Sequence, residues 1–171
     1  MRIFIGGDIA PTDVTVPAFD REDVPALFGD VPALLKTGDA VIANVECALT
    51  DSDGKIAKIG PNLKGRPSYA HVIRAAGVTH IGLANNHVYD FGREGLYDTL
   101  RALDAAGLPY TGVGKNDADA RRPMYIGVKG KRIALVCVAE HEYSYALRGR
   151  EGVRGFDPFD TMEDIARAKK E

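Results

Sequence analysis

Two amides, an imidazole and a carboxylate fall within six consecutive positions, Asn85, Asn86, His87 and Asp90, in the stretch GLANNHVYDFG of residues 82–92. Groups of the same character stand at Asp8, in GGD, and at Asn44 and Glu46, in NVE. Carboxylates, an amide oxygen and an imidazole are the ligands of hard or borderline divalent ions such as Mg, Mn, Fe(II) or Zn. The Asp90 carboxylate could also orient the His87 ring from behind such a site. Each residue has a plainer reading as well. Asp8 could cap a turn, Asn44 could be a buried amide holding a loop, and Glu46 could be an ordinary surface acid. Asn85 suits the left-handed backbone that can follow a strand, and Asp90 could N-cap a helix.

The elements around these residues favour the chemical reading. RIFI at residues 2–5, DAVIANVE at 39–46 and THIGLA at 79–84 read as strands. The second is apolar on both faces, as a strand covered on both sides should be. A helix begins near Pro67 and stops at Gly77. Another covers residues 93–106, with Leu96, Leu100 and Leu103 forming one buried stripe and Gly107 ending it. In open α/β sheets, ligand sites gather at the carboxyl ends of the strands. If the three strands are parallel neighbours, Asp8, Asn44, Glu46, Asn86 and His87 converge on one rim. Gly6 and Gly7 give the backbone room to turn beside it. His141 and Glu142, after a later strand, could reach the same rim, whereas His71 and His80 have no ligand set near them.

Residues 51–65 form a polar, Gly-rich loop, long for a structureless connection and so a candidate for function or mobility. MYIGVKGKRIALVCVA at 124–139 reads as an antiparallel hairpin turning at Lys129-Gly130. The fold class is therefore α/β, a mixed sheet flanked by helices: parallel at first, with an antiparallel addition. The final stretch, residues 159–171, is an amphipathic helix with Met162, Ile165 and Ala166 on its apolar side, and no cap or strand follows it.

The chain has 171 residues, the size of one domain. Its net charge is −2, from 22 basic and 24 acidic side chains, which gives no support for nucleic-acid binding. The basic clusters at 129–132 and 148–154 read as solvated loops. Cys47 and Cys137 make neither a disulfide framework nor a zinc motif. Cys137 reads as a small core residue, and Cys47, beside NVE, has no basic partner that would make it a nucleophile. The apolar start MRIFIGGD is too short for a signal-peptide core or a membrane span.

Four stretches resemble the CapA family of capsule biosynthesis, the poly-γ-glutamate synthesis proteins related to metallophosphoesterases. They are GGD at 6–8, NVECALT at 44–50, KGRPSYAHVIRAAGV at 64–78, and LANNHVYDFGREGLYDTLRALDAAGLPYTGVGKN at 83–116, and the likeness covers essentially the whole chain. The resemblance implies a metallophosphoesterase-like fold. In it, Asp8, Asn44, Glu46 and Asn86 would hold a divalent ion, and His87, oriented by Asp90, would stabilise charge or transfer a proton. Lys64 and Asn85 would meet an anionic polymer or phosphoester substrate. It also implies capsule-synthesis proteins as partners, and the family is usually associated with the cell envelope.

The sequence departs from the wider pattern in two places. Asp8 is followed by Ile9 and Ala10, not by the Asp-x-His pair of metallophosphoesterases. The HWG-like strand and Gly-His-x-His-like segment of the family do not occur before Glu171, so the chain corresponds to roughly the first half of the family domain. The function implied is that of a metal-dependent hydrolase or transferase of capsule polymer synthesis. The alternatives are a non-catalytic polymer-binding or export component, or an inactive partial domain that associates through an uncovered edge.

Overall fold

Alternation along one strand decides the layering. The computed structural model describes residues 1–140 and 143–171, so the expectation for His141 and Glu142 lies outside the described residues. Strands β1 (Ile3–Ile9) and β2 (Ala40–Val45) pair in parallel. Between them lie three single-turn helices, α1 (Val16–Asp20), α2 (Val24–Phe28) and α3 (Val31–Leu35), each with Pro in its first turn. Val41, Ala43 and Val45 face the main core, while Ala40 and Ile42 face a second, smaller apolar cluster. A strand apolar on both faces is thus covered on both faces.

The chain continues through the parallel pair β3 (Ala48–Leu49) and β4 (Lys64–Gly65) to helix α4 (Tyr69–Ala75) and β5 (His80–Gly82). Helix α5 (Gly92–Ala105) leads to β6 (Tyr110–Thr111) and β7 (Val113–Gly114). The four-stranded sheet runs β1-β2-β5-β6, parallel throughout, in chain order. Leu96 and Leu103 of α5 are buried and Leu100 packs beside them at the core margin, the stripe read from the sequence. Gly107 ends the helix at φ 66°, with Leu108 N–H returning to Leu103 O at 2.9 Å.

After α6 (Asp117–Ala120) come β8 (Met124–Val128) and β9 (Lys131–Leu135), an antiparallel hairpin turning at Lys129 (φ 48°) and Gly130 (φ 75°). Both central residues have positive φ, the geometry of a tight two-residue hairpin turn. The hairpin does not extend the parallel sheet, as the mixed-sheet reading has it, but forms a separate two-stranded sheet. Its Ile126 and Val128 pack on Ala40 and Ile42, so apolar burial places it across the sheet face instead of at an edge. β10 (Gly152–Val153) pairs antiparallel with β7, and α7 (Pro158–Ala168) follows it. The outer edge strand β1 leaves Ile5 exposed. None of the described helices is long and apolar enough to cross a membrane.

Two expectations are corrected at the C-terminal end. Met162, Ile165 and Ala166 face outward, and α7 instead buries Asp164 and Ala168. Arg154, within a cluster read as a solvated loop, is buried too. The reason is electrostatic. Asp164 meets Arg121 at 2.9 Å, Arg167 at 2.7 Å and Arg154 at 3.4 Å, and these charge-assisted contacts orient the helix against its own apolar stripe. Removing one member of such a buried set strands the others. Asp164→Ala should therefore lower stability by about 3–5 kcal/mol, while Met162→Ala should stay within about 0.5 kcal/mol of the parent. Urea unfolding of both variants checks the contrast, and equal effects would refute the polar clamp.

Candidate functional site

The carboxyl ends of β1, β2 and β5 lie side by side, with Asp8 opposite Asn44 and Asn44 opposite Gly82. Between Ile5 and Asp8 the register slips, so β1 carries an extra residue at Gly6-Gly7. A bulge of this kind re-aims the side chain that follows it, and here that side chain is Asp8. The Asn44 amide donates to Asp8 Oδ1 at 2.7 Å, and Asn44 Oδ1 accepts from Asn85 Nδ2 at 3.0 Å. Asn44 thus bridges Asp8 to the β5 loop, with its oxygen already engaged.

Asn85 is buried and fully occupied. Its amide donates to Asn44 and to Val45 O at 2.8 Å, and its oxygen accepts the N–H groups of His87 (3.0 Å) and Val88 (2.8 Å). It folds the loop that displays its neighbours, and no part of its amide is left for the substrate contact expected of it. Asn86 differs: among the described residues its side chain has no hydrogen-bond partner. It borders a cavity of about 350 Å³ with Ala84, Val138, Ala139 and Glu140.

Glu46 follows β2, its N–H bonded to Ile9 O at 3.0 Å. Its carboxyl is held above the ordinary range first by burial and then by the Asp8 carboxylate beside it, while nearby His87 acts in the opposite direction. Asp8, Glu46 and His87 therefore share one neighbourhood. The His87 ring is held from behind, with Nδ1 2.7 Å from Asp90 Oδ2. Asp90 is fully buried, and the same oxygen accepts Leu63 N–H at 2.7 Å. Helix α5 has Phe91 at its N-cap and no side-chain cap, so Asp90 serves the histidine and not the helix.

Lys64, expected at the substrate, donates to Ser52 O at 2.8 Å and to Asp53 Oδ1 at 2.9 Å, and lies 5.1 Å above the Phe91 ring. The lysine at the histidine is Lys58, which the sequence reading missed. Its Nζ is buried, ion-paired with Asp90 Oδ1 and 3.2 Å from His87 Nδ1. Nothing in the local sequence marks it, because a lysine in a polar, Gly-rich loop reads as solvated. Cys47 is excluded as a nucleophile, since burial pushes its thiol up to about 12.

The family model described as bacterial capsule synthesis protein PGA_cap matches residues 2–170. The chain belongs to this capsule-synthesis family. It is 30% identical over 168 residues to the capsule biosynthesis protein CapA of Bacillus anthracis, covering 95% of this chain and 41% of that protein. Against the PGA biosynthesis protein CapA of Bacillus subtilis the identity is 26% over 168 residues, covering 96% of this chain and 44% of the relative. A Mycobacterium tuberculosis protein named "Probable polyglutamine synthesis accessory protein" is 33% identical over 151 residues, 81% of this chain and 40% of its own length. The chain thus spans about two-fifths of the length of these relatives.

Asp8 and Glu46 bring two carboxylates together, while Asn86 lines the cavity it shares with Ala84, Val138, Ala139 and Glu140. Magnesium-like ions are commonly held by one or two carboxylates plus waters. Among the described residues, no group of three or more His, Cys, Asp or Glu side chains could hold a metal, and a two-metal centre needs more ligands than these.

The raised Glu46 carboxyl has a consequence for stability. Below its ordinary value of 4.5, the carboxyl is neutral in both folded and unfolded chains and its contribution is intact. That contribution is lost as pH rises through the raised folded value. Glu46→Gln should therefore have a higher urea midpoint than the parent at pH 7, a gain that fades below pH 4.5. A variant less stable than the parent at pH 7 would contradict the crowding of Glu46 against Asp8.

Proposed function

We propose that the chain is a divalent-cation-dependent component of capsule polymer synthesis, acting as a hydrolase or transferase on an anionic polymer such as polyglutamate or on a phosphoester. One observation carries the reading: Asp8, Glu46 and the Asp90-backed imidazole of His87, distant in sequence, share the carboxyl edge of a parallel sheet. The polymer context comes from the names of the relatives, two of which refer to capsule or PGA biosynthesis. Capsule-synthesis proteins are the partners this context supplies.

In this reading Asp8, Glu46 and the Asn86 amide oxygen would hold the cation, which would supply Lewis-acid chemistry at the rim. The chain's own residues do the rest. Asn44 steadies Asp8 through its amide. Asn85 folds the loop that carries Asn86 and His87. Asp90 holds His87 Nδ1, which leaves Nε2 as the working nitrogen, able to assist proton movement at the reacting oxygen. The carboxylates crowd each other until a cation neutralises them, so the site is poised for cation binding at the expense of stability.

Titration calorimetry with Mn²⁺ and Mg²⁺, with turnover of a generic phosphodiester in parallel, tests the proposal. The parent chain should bind and turn over, Asp8→Asn and Glu46→Gln should lose the ion, and His87→Ala should lose about 10²–10⁴-fold in turnover while retaining it. Polyglutamate binding that needs no divalent ion and survives Asp8→Asn would replace the catalytic reading with a polymer-binding one.

A further inference from the structure

Two cavities beside the rim adjoin at Ala84 and Val138. One, of about 350 Å³, ends at Asn86. The other, of about 300 Å³, runs past Gly82, Ile42 and Asn44 to Ile5 and Gly6 of β1. Together they form one groove across the carboxyl ends of β5, β2 and β1, with residues 135–138 as its wall. Ile5 pairs with Ile42 and Asp8 with Asn44. Paired residues of parallel strands point to the same side, as do residues two apart on one strand. The groove therefore lies on the sheet face that carries Asp8, and Asn44, which donates to Asp8, is part of its lining.

Gly6 and Gly7 are the informative residues. Glycine inside a strand weakens it and calls for a reason. The fold supplies none. Neither residue has a positive φ. A Cβ at Gly6 would meet only Ile42 O at 3.6 Å and Ala43 Cβ at 3.9 Å, and a Cβ at Gly7 would meet nothing within 4 Å. Gly65 differs, since a Cβ there would stand 2.8 Å from the Tyr69 ring and packing requires its absence. Two unforced glycines in a strand leave space for something that approaches the backbone from outside. Ile5 beside them is 79% exposed, an apolar side chain at the mouth of the groove.

The lining selects the occupant. Ile5, Ile42, Val136, Cys137 and Val138 are apolar, and among the described lining residues there is no Lys or Arg. Methylene groups gain from such a surface and anionic groups do not. Three neighbouring strand ends span ~10 Å at ~4.8 Å per step, the length of about three residues of an extended chain. An unbranched anionic polyamide suits this shape. Its methylene-bearing main chain lies in the groove, and its carboxylates turn outward to the Asp8–Glu46 rim and to solvent.

We propose that this groove is a substrate subsite for an extended run of an anionic polyamide such as γ-linked polyglutamate, and that Gly6 determines specificity by leaving room for the main chain of the substrate. The inference rests on the reading of the adjoining rim as the functional site. It selects the polymer over the phosphoester.

Calorimetric titration with poly-γ-glutamate oligomers of two, four and six units, with Mn²⁺ present and at high salt to screen diffuse attraction, tests the subsite. Burying one more unit, with its pair of methylenes, is worth about tenfold in affinity. The tetramer should bind at least about tenfold tighter than the dimer, and the hexamer, which overruns the groove, should add less than about threefold. Gly6→Ala should weaken tetramer binding about threefold and Gly6→Val about tenfold. Gly127→Val, at an equally open glycine of β8 outside the groove, should bind like the parent. Equal affinity for dimer and tetramer overturns the proposal even if Gly6→Val does not fold. So does parent-like binding by both Gly6 variants, an equal loss in Gly127→Val, or a parent that binds no oligomer. Length and Gly6 dependence in a parent that binds no Mn²⁺ would sink the cation reading and leave this inference standing. Mn²⁺ binding without either dependence would do the reverse.

Discussion

A carboxylate with no water around it must find every partner in the protein, and Asp90 does so by drawing three parts of the chain together. Its side chain takes the Leu63 N–H, the His87 ring and the Lys58 ammonium. Its backbone carbonyl takes the Ile56 N–H at 2.9 Å and the Asn62 amide at 3.1 Å. Residues 51–63 have no strand or helix of their own, so these bonds, with those of Ser52 to Glu94 and Lys64, hold them over the turn between β5 and α5. The orientation of the histidine and the path of the loop are thus one constraint, and a change at Asp90 reaches both.

The other half of the rim works against stability. Asp8 and Glu46 are brought close by strand pairing, a bulge and the Asn44 bridge, although like charges repel at that distance. Local frustration of this kind is what a stable core can support when a site needs it. The core here is β2, sealed by helices on one face and by the hairpin on the other. The C-terminal helix shows a related preference of charge over burial. Its aspartate is taken inside by three arginines, and its apolar side chains are left in solvent.

Much of this organisation was legible beforehand. The apolar run of 40–45, the leucine stripe of α5, the stop at Gly107 and the turn at Lys129-Gly130 are local signals, and each corresponds to an observed element. The placement of Asp8, Asn44, Glu46 and His87 at neighbouring strand ends follows once the strands are parallel. Three things were not legible. The single-turn helices of residues 16–35 are too short to leave a periodic pattern. The hairpin's position across the sheet face depends on which apolar surface lacks a cover. The turned helix α7 depends on arginines 10 and 43 residues away in the chain.

The sequence by itself determined which residues could do chemistry and the strand ends on which they stand, because period and turn chemistry are properties of neighbours along the chain. Only the tertiary structure decided which of them are spent and which are available. It commits Asn85 to its own loop, Lys64 to Ser52 and Asp53, and leaves the Asn86 amide without a described partner. It also brings Lys58 to the histidine. The physical reason is that a polar group's role is set by the partners that burial forces on it, and those partners include residues 11 to 41 positions distant that no local pattern names.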